Sequence, residues 1–334
     1  MFVRFFAATF AAAVVLSSIV VHAEPVQLRL AYPAPPRGLV NLWVLTPWAE
    51  EVDKASDGTL ETKIYPGPAL GTFNNIYDRL INGVADIAYG TVGAVSSQFP
   101  KTEVASLPFV ADGAEQATAA LWALYKRGLI SDEFERVRLL ALFSYSNVTL
   151  HAKKPIKTLS DVHGLKIAVS SRVITEVVSK LGGAALAMTG AESYSAAQRG
   201  VIDAAILPWP AVYPFKIQEV LPYHVDVPLG TGAAFVAMNK ETYARLPDKG
   251  KAALDARSYD VLVERLGKAS ERMEVEGRDD VRKIPGQTVA NLDAAEAKRW
   301  NDLLVPIAEE WVKSTPNGAA IYAAYREELA KAKR

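Results

Sequence analysis

The stretch that decides the fold reads LSDVHGLKIAVSSRV over Leu159–Val173 and ESYSAAQRGVIDAAILPWP over Glu192–Pro210. Its pattern predicts a strand over Leu165–Val169, a helix over Arg172–Leu181, and then a second helix and a strand over Ala204–Leu207. In an open α/β sheet, ligands bind where the strands end and the helices begin. This stretch therefore predicts an α/β fold with a binding site at its strand ends.

Strands and helices alternate along the rest of the chain in the same way. The other predicted strands are Val26–Tyr32, Leu60–Tyr65, Ile87–Tyr89, Val137–Phe143, Val148–His151 and Val236–Asn239. The other predicted helices are Leu42–Ala55, Asn75–Asn82, Ala114–Arg127 and a long charged helix over Pro247–Glu276. Such alternation favours mainly parallel sheets covered by helices. The long helix would run roughly 45 Å at 1.5 Å per residue, which is enough to span two lobes.

The first 23 residues have the parts of a secretory signal peptide. Arg4 supplies a positive charge, Phe5–Val21 is uncharged and mostly apolar, and small residues lie at both positions that a signal peptidase reads. We expect cleavage after Ala23, export to the periplasm, and a mature chain that does not span the membrane. An uncleaved membrane anchor is the alternative, although the apolar run is short for a bilayer span.

Composition and motifs exclude several classes of function. Acidic and basic residues balance at 37 each, and no basic run with interleaved aromatics favours a nucleic-acid partner. The chain has no cysteine and no histidines at metal-ligand spacing, so no metal site is predicted. Neither a G-x-S-x-G nucleophile motif nor a dinucleotide fingerprint is present. We therefore predict no catalytic residue and no cofactor.

Polar and aromatic side chains lie at the predicted strand ends and helix starts. The candidate ligand-binding residues are Arg37, Phe73, Tyr89, Asn147, Arg172, Trp209 and Tyr213. Each of them taken singly could be an ordinary packing or surface residue. A cluster of such side chains near strand ends is what a ligand cleft requires, and Arg172 begins a helix whose amides favour an anion.

Six short segments give the chain a family resemblance over nearly all of its mature length. They are Tyr65–Gly71 (YPGPALG), Leu107–Phe109 (LPF), Lys154–Asp161 (KPIKTLSD), Gly164–Ile167 (GLKI), Glu192–Tyr194 (ESY) and Gln198–Asp203 (QRGVID). The chain thereby resembles the extracytoplasmic solute-binding subunits of tripartite ATP-independent periplasmic (TRAP) transporters, of the DctP type. The resemblance implies capture of a small organic acid by hinge closure and its delivery to membrane permease subunits.

The resemblance also implies a fold of two α/β lobes joined by crossing strands and a long helix. We expect lobe I to comprise residues 24–146 and 234–276, and lobe II to comprise residues 147–233 and 277–334. A sensor that passes the ligand signal to a receptor is an alternative function, and an exported enzyme on the same fold is another.

The chain departs from the family at the positions that grip the ligand. Where the family has an arginine after Gly-Leu-Lys-Ile, this sequence has Ala168, and a second family arginine aligns with Asn147. Arg172 is the first candidate for the missing carboxylate anchor, and Arg37 is the second. The resemblance also places a family asparagine at Leu207. The apolar replacements Ala168 and Leu207 predict a monocarboxylate with a hydrophobic or aromatic portion, stacked on Trp209 or Tyr213.

Overall fold

The computed structural model describes residues 24–332, so the predicted signal peptide lies outside the described residues. The strands are β1 (Val26–Tyr32), β2 (Leu60–Pro66), β3 (Ile87–Thr91), β4 (Arg138–Tyr145), β5 (Val148–Ala152), β6 (Lys166–Val169), β7 (Ala184–Ala187), β8 (Ala204–Pro208), β9 (Tyr223–Val225), β10 (Gly232–Met238) and β11 (Thr288–Ala290). The helices are α1 (Thr46–Ala55), α2 (Ile76–Ile81), α3 (Ala114–Lys126), α4 (Arg172–Lys180), α5 (Gly190–Gln198), α6 (Trp209–Val212), α7 (Lys240–Arg245), α8 (Asp248–Asp255), α9 (Asp260–Lys283), α10 (Ala294–Leu304), α11 (Pro306–Ser314) and α12 (Gly318–Ala332).

Two sheets form the centres of two lobes. The first sheet has the order β2-β1-β3-β10-β4 and defines lobe I, and the second has the order β11-β9-β5-β8-β6-β7 and defines lobe II. Both sheets are mixed, and five of the nine strand pairings are parallel, so the expected parallel pairing predominates only narrowly. β10 pairs antiparallel with β3 and β4, and β5 pairs antiparallel with β8 and β9. These strands run against their neighbours because each enters directly from the other lobe.

The chain crosses between the lobes at four places, the last of them between α11 and α12. Residues 146 and 147 alone separate β4 from β5, and residues 226–231 join β9 to β10. The third crossing is α9, which packs against α3 and β4 on one side and against α6 and β11 on the other. The predicted two-lobe fold with crossing strands and a lobe-spanning helix is confirmed.

The spanning helix differs from its predicted bounds of Pro247–Glu276. α9 begins at Asp260 because Tyr259 has a φ of 57°, which interrupts the helical backbone after α8. The amide of Tyr259 donates to Leu140 O at 2.6 Å, and its hydroxyl donates to Asp255 at 3.0 Å. Tertiary contacts therefore hold the break, and the 24-residue helix that follows is roughly 36 Å long.

The last helices divide between the lobes rather than belonging to lobe II alone. α11 packs on α4 of lobe II, whereas α12 packs on α3 of lobe I. Ile321, Tyr325 and Leu329 of α12 are buried in this contact region. The assignment of residues 277–334 to lobe II is therefore wrong for α12. None of the helices within residues 24–332 is both long enough and apolar enough to cross a membrane.

Candidate ligand-binding site

A cavity of about 120 Å³ lies between the two lobes. One water molecule needs roughly 10–15 Å³ of such space, so the cavity has room for a small organic molecule. Tyr32, Tyr89 and Tyr145 line it from the strands of lobe I, and Leu207 and Pro208 line it from the end of β8 in lobe II. The site therefore lies at strand ends, where the sequence pattern predicted it.

Aromatic rings form the lobe I wall of the cavity. The ring centroids of Tyr32 and Tyr89 are 5.2 Å apart, and Phe73 meets Tyr89 edge-on at 6.1 Å. Burial raises the pKa of the Tyr89 and Tyr145 hydroxyls, so both phenols are neutral. Phe215 adds an aromatic ring from lobe II. This wall suits the flat apolar body of an aromatic ligand.

Two glycines allow this arrangement by their lack of a side chain. A Cβ at Gly38 would overlap the Tyr32 hydroxyl, and a Cβ at Gly232 would overlap the ring of Tyr145. Gly38 belongs to the loop after β1, and Gly232 begins β10 directly beside the end of β4. The phenol groups of Tyr32 and Tyr145 therefore occupy space that the Cβ of any other residue at positions 38 and 232 would fill.

Of the seven predicted ligand-binding residues, the structure places Phe73 and Tyr89 in the cavity wall. Arg37 and Tyr213 lie outside it, on the exposed surface. The Arg37 guanidinium donates from Nε and Nη2 to the Pro214 carbonyl oxygen at 3.1 and 2.8 Å. Its Cζ lies 5.8 Å from the ring centroid of Tyr213. Since Pro214 lines the cavity, this contact joins the lobes beside the site.

Trp209 is a core residue of lobe II and offers no ring face to the cavity. Its side chain is 1% exposed, and its Nε1 donates to Asp226 at 3.1 Å. The indole packs against His151 and His224. The hypothesis that a ligand stacks on Trp209 is therefore wrong, because the indole is buried against the two histidines and its Nε1 is held by Asp226.

Asn147 is buried beside the cavity but does not line it. Its Nδ2 lies 3.5 Å from the Asp112 carbonyl oxygen, and its backbone amide faces the Glu274 carboxylate and lowers the pKa of that carboxyl against the larger effect of burial. The amide side chain is thus directed at the lobe I loop before α3. Its neighbour Ser146 lines the cavity instead.

Arg172 lies in an adjoining pocket rather than in the cavity. That pocket shares Ala94, Ser170 and Thr189 with the cavity wall, but the Arg172 side chain is exposed. The guanidinium faces two carboxylates, Glu103 and Glu176. Burial raises the pKa of both carboxyl groups, and the charge of Arg172 lowers it by a smaller amount. Neither predicted arginine anchor therefore reaches the cavity.

The chain is similar in sequence and in fold to known proteins. The family of bacterial extracellular solute-binding proteins, family 7 (DctP), matches residues 34–315. This chain belongs to that family. The DctP-family chain is 26% identical over 309 residues to the protein named outer membrane transporter protein TsaT of Comamonas testosteroni, covering 88% of this chain and 89% of TsaT.

Two solved structures of TRAP solute-binding proteins resemble this chain over 92% of its length. A TRAP solute-binding protein from Rhodoferax ferrireducens T118, in complex with copurified benzoate, is 28% identical, with a TM-score of 0.87 and 98% of its chain covered. A marine metagenome TRAP solute-binding protein from an unidentified microbe is specific for aromatic acid ligands and holds 3-hydroxybenzoate. It is 26% identical, with a TM-score of 0.88 and 99% of its chain covered.

Sequence reasoning missed several residues of this DctP-family cavity. Tyr32 ends the predicted strand Val26–Tyr32, and Tyr145 lies two residues after the predicted strand Val137–Phe143. These positions at strand ends would have identified both tyrosines as candidate ligand-binding residues. Ser270 and Met273 reach the cavity from the middle of α9. The helical pattern of α9 does not indicate that these two residues line a cavity, because periodicity identifies buried positions but not whether they contact the core or a cavity.

A buried histidine pair lies behind the lobe II wall. The Nδ1 atoms of His151 and His224 are 2.7 Å apart, and His151 Nε2 lies 3.1 Å from the Leu207 carbonyl oxygen. Burial lowers the pKa of both imidazoles. Within residues 24–332, the pair does not belong to any group of three or more side chains that could hold a metal ion. The rings of His151 and His224 pack against Trp209, with centroids 5.3 and 5.5 Å from the indole.

Proposed function

We propose that this protein captures a small monocarboxylic acid with an aromatic or apolar body between its lobes, and delivers it to the permease subunits of a TRAP transporter. Membership of the DctP family supports the transport role. The location that we propose is the periplasm, after cleavage of the signal peptide behind Ala23.

The observation that carries the ligand class is the chemistry of the cavity wall. Rings of Tyr32, Phe73, Tyr89 and Tyr145 border it, and no charged side chain does so among the described lining residues. A dicarboxylate would bring two charges into this wall, and an uncompensated buried charge is strongly unfavourable. An arene with a single acid group matches the wall much better. The benzoate and 3-hydroxybenzoate bound by the two similar solved proteins agree with this choice.

Capture proceeds through closure of the two lobes. Both lobes supply cavity walls, so a ligand contacts both only when the cleft is closed. The ligand can shift the open–closed equilibrium only by its difference in affinity for the two states. The contact between Arg37 and Pro214 joins the lobes in the closed arrangement. The permease would then recognise the closed surface.

A thermal-shift screen of organic acids tests this function. At a ligand concentration of about 100 times Kd, binding stabilises the folded state by about 2.7 kcal/mol, which raises Tm by roughly 5 °C. We expect benzoate, hydroxybenzoates or mandelate to give such a shift without turnover. Native mass spectrometry of the purified protein would identify a copurified acid. Stabilisation by succinate or malate, with none by any aromatic acid, would refute the proposal.

A further inference from the structure

Among the residues of the chain that the structure describes, none that lines the cavity carries a positive charge for the acid group of a ligand. Ala168, at the position where the resemblance places an arginine, is 2% exposed and belongs to the lobe II core. Asn147, at the second such position, is engaged with Asp112 and Glu274. The charge of a bound acid must therefore be balanced by other groups.

The two nearest candidate arginines are both committed elsewhere. Arg37 directs two of its donor nitrogens at the Pro214 carbonyl, outside the cavity. Arg172 is exposed and faces Glu103 and Glu176. Moving either guanidinium into the cavity would break these contacts and desolvate a cation among aromatic rings. We conclude that neither arginine supplies the anchor.

Neutral donors are available at the cavity wall. Ser146 lines the cavity and is fully buried, and its Oγ has no hydrogen-bond partner among the described residues. Buried hydroxyls are nearly always hydrogen-bonded in native proteins, so an unpartnered one in a cavity indicates a ligand group. Ser146 lies in the two-residue crossing between β4 and β5, which places its hydroxyl between the lobes.

Two helix starts add backbone donors to the same wall. A continuous helical segment begins at Leu39 and leads into α1, and α5 begins at Gly190. Leu39, Val40 and Gly190 all line the cavity. First-turn amides have no partner within their own helix, and the helix dipole favours a negative charge there. The wall thus combines an unpartnered hydroxyl with helix-start residues from both lobes.

We infer that this protein binds the acid group of its ligand with neutral donors only, namely the Ser146 hydroxyl and the helix-start amides at Leu39, Val40 and Gly190, and that no arginine contacts it. The inference rests on the proposed capture of an aromatic acid. It restricts the ligand to one negative charge, because neutral donors satisfy one anionic group and leave a second without a partner. Selectivity against dicarboxylates follows from this arrangement.

Isothermal titration of the full mature chain with benzoate and 3-hydroxybenzoate as probes tests the inference. Ser146→Ala should weaken binding about tenfold, since it removes a hydrogen bond to a charged group. Ser96→Ala is the matched control, because Ser96 lines only the adjoining pocket, and it should leave Kd within twofold. Arg172→Ala should also leave Kd within twofold. Arg37→Gln removes the charge but keeps a donor for Pro214, and we expect less than a fivefold change.

The outcomes separate this inference from the proposed function. If the unmodified protein binds neither probe nor any aromatic acid of the screen, the proposed function fails. If the unmodified protein binds a probe and Arg172→Ala or Arg37→Gln weakens it a hundredfold, the function stands and the inference is overturned. An unchanged Kd for Ser146→Ala would also overturn it. Phthalate binding as tight as benzoate binding would also overturn the inference. A Kd for phthalate that is at least a hundredfold higher than the Kd for benzoate supports it. Melting curves without ligand confirm that each variant is folded.

Discussion

Glu103 provides a test of how the lobes are joined, because it is a carboxyl group buried between them. It lies in a short 3-10 turn of lobe I (Thr102–Ser106) and is 0% exposed. The start of α4 in lobe II faces it with Ser171, Arg172 and Val173. Neither carboxyl oxygen makes a hydrogen bond of normal geometry among the described residues. Burial raises the pKa of Glu103 from 4.5 to about 7, and the charge of Arg172 offsets this only in part.

The raised pKa fixes the sign of a pH-dependent contribution to stability. Between pH 4.5 and pH 7 the folded protein holds a proton on Glu103 that the unfolded chain has lost. The stabilising contribution is therefore complete below pH 4.5 and is lost as the pH rises through 7. At 1.36 kcal/mol for each pKa unit, ionised Glu103 costs the folded state about 3 kcal/mol at pH 8. Glu103→Gln keeps the shape of the protonated acid and removes this cost.

Urea unfolding at pH 4.5, 6, 7 and 8 measures the effect, with the fluorescence of the chain's six tryptophans as the signal. We expect Glu103→Gln to match the unmodified protein at pH 4.5 and to exceed its unfolding free energy by about 3 kcal/mol at pH 8. Glu50→Gln is the control, because Glu50 is exposed on α1, and it should change stability by no more than about 0.5 kcal/mol at any pH. Stability curves for Glu103→Gln and the unmodified protein that run parallel from pH 4.5 to 8 would refute the reasoning.

Three further substitutions test the placement of site residues. Trp209→Phe removes the partly buried hydrogen bond to Asp226, so urea unfolding should show a loss of about 1–2 kcal/mol in unfolding free energy. A large loss of benzoate affinity at unchanged stability would instead place the indole in the site. Arg37→Ala breaks the contact with Pro214, and stopped-flow measurements should show benzoate dissociating about tenfold faster; an unchanged rate would show that this contact does not hold the cleft closed. Gly232→Ala forces the ring of Tyr145 to move, so we expect a loss of roughly 1–3 kcal/mol in stability and weaker benzoate binding; calorimetry showing neither effect would contradict the close packing of that ring.

The local elements were largely readable from the sequence. The predicted strand Val26–Tyr32 is β1, and the predicted helix over Arg172–Leu181 differs from α4 by one residue. Such segments are determined by periodic burial and by local caps, such as the Ser171 side chain that accepts from the Ile174 amide. The break at Tyr259 was missed because contacts from Leu140 and Asp255 hold it. A contact with residues distant in the chain has no local signature.

The sequence by itself determined the α/β class, the family and the location of the site at strand ends, because these depend on patterns within short segments. Phe73 and Tyr89 could be chosen on that basis, and both line the cavity. The tertiary structure alone decided which charged and aromatic groups reach it. Arg172 faces Glu103 of the other lobe, and the buried Trp209 donates to the partly exposed Asp226. Partners of this kind are set by how two sheets and a spanning helix pack, and spacing along the chain does not encode that packing.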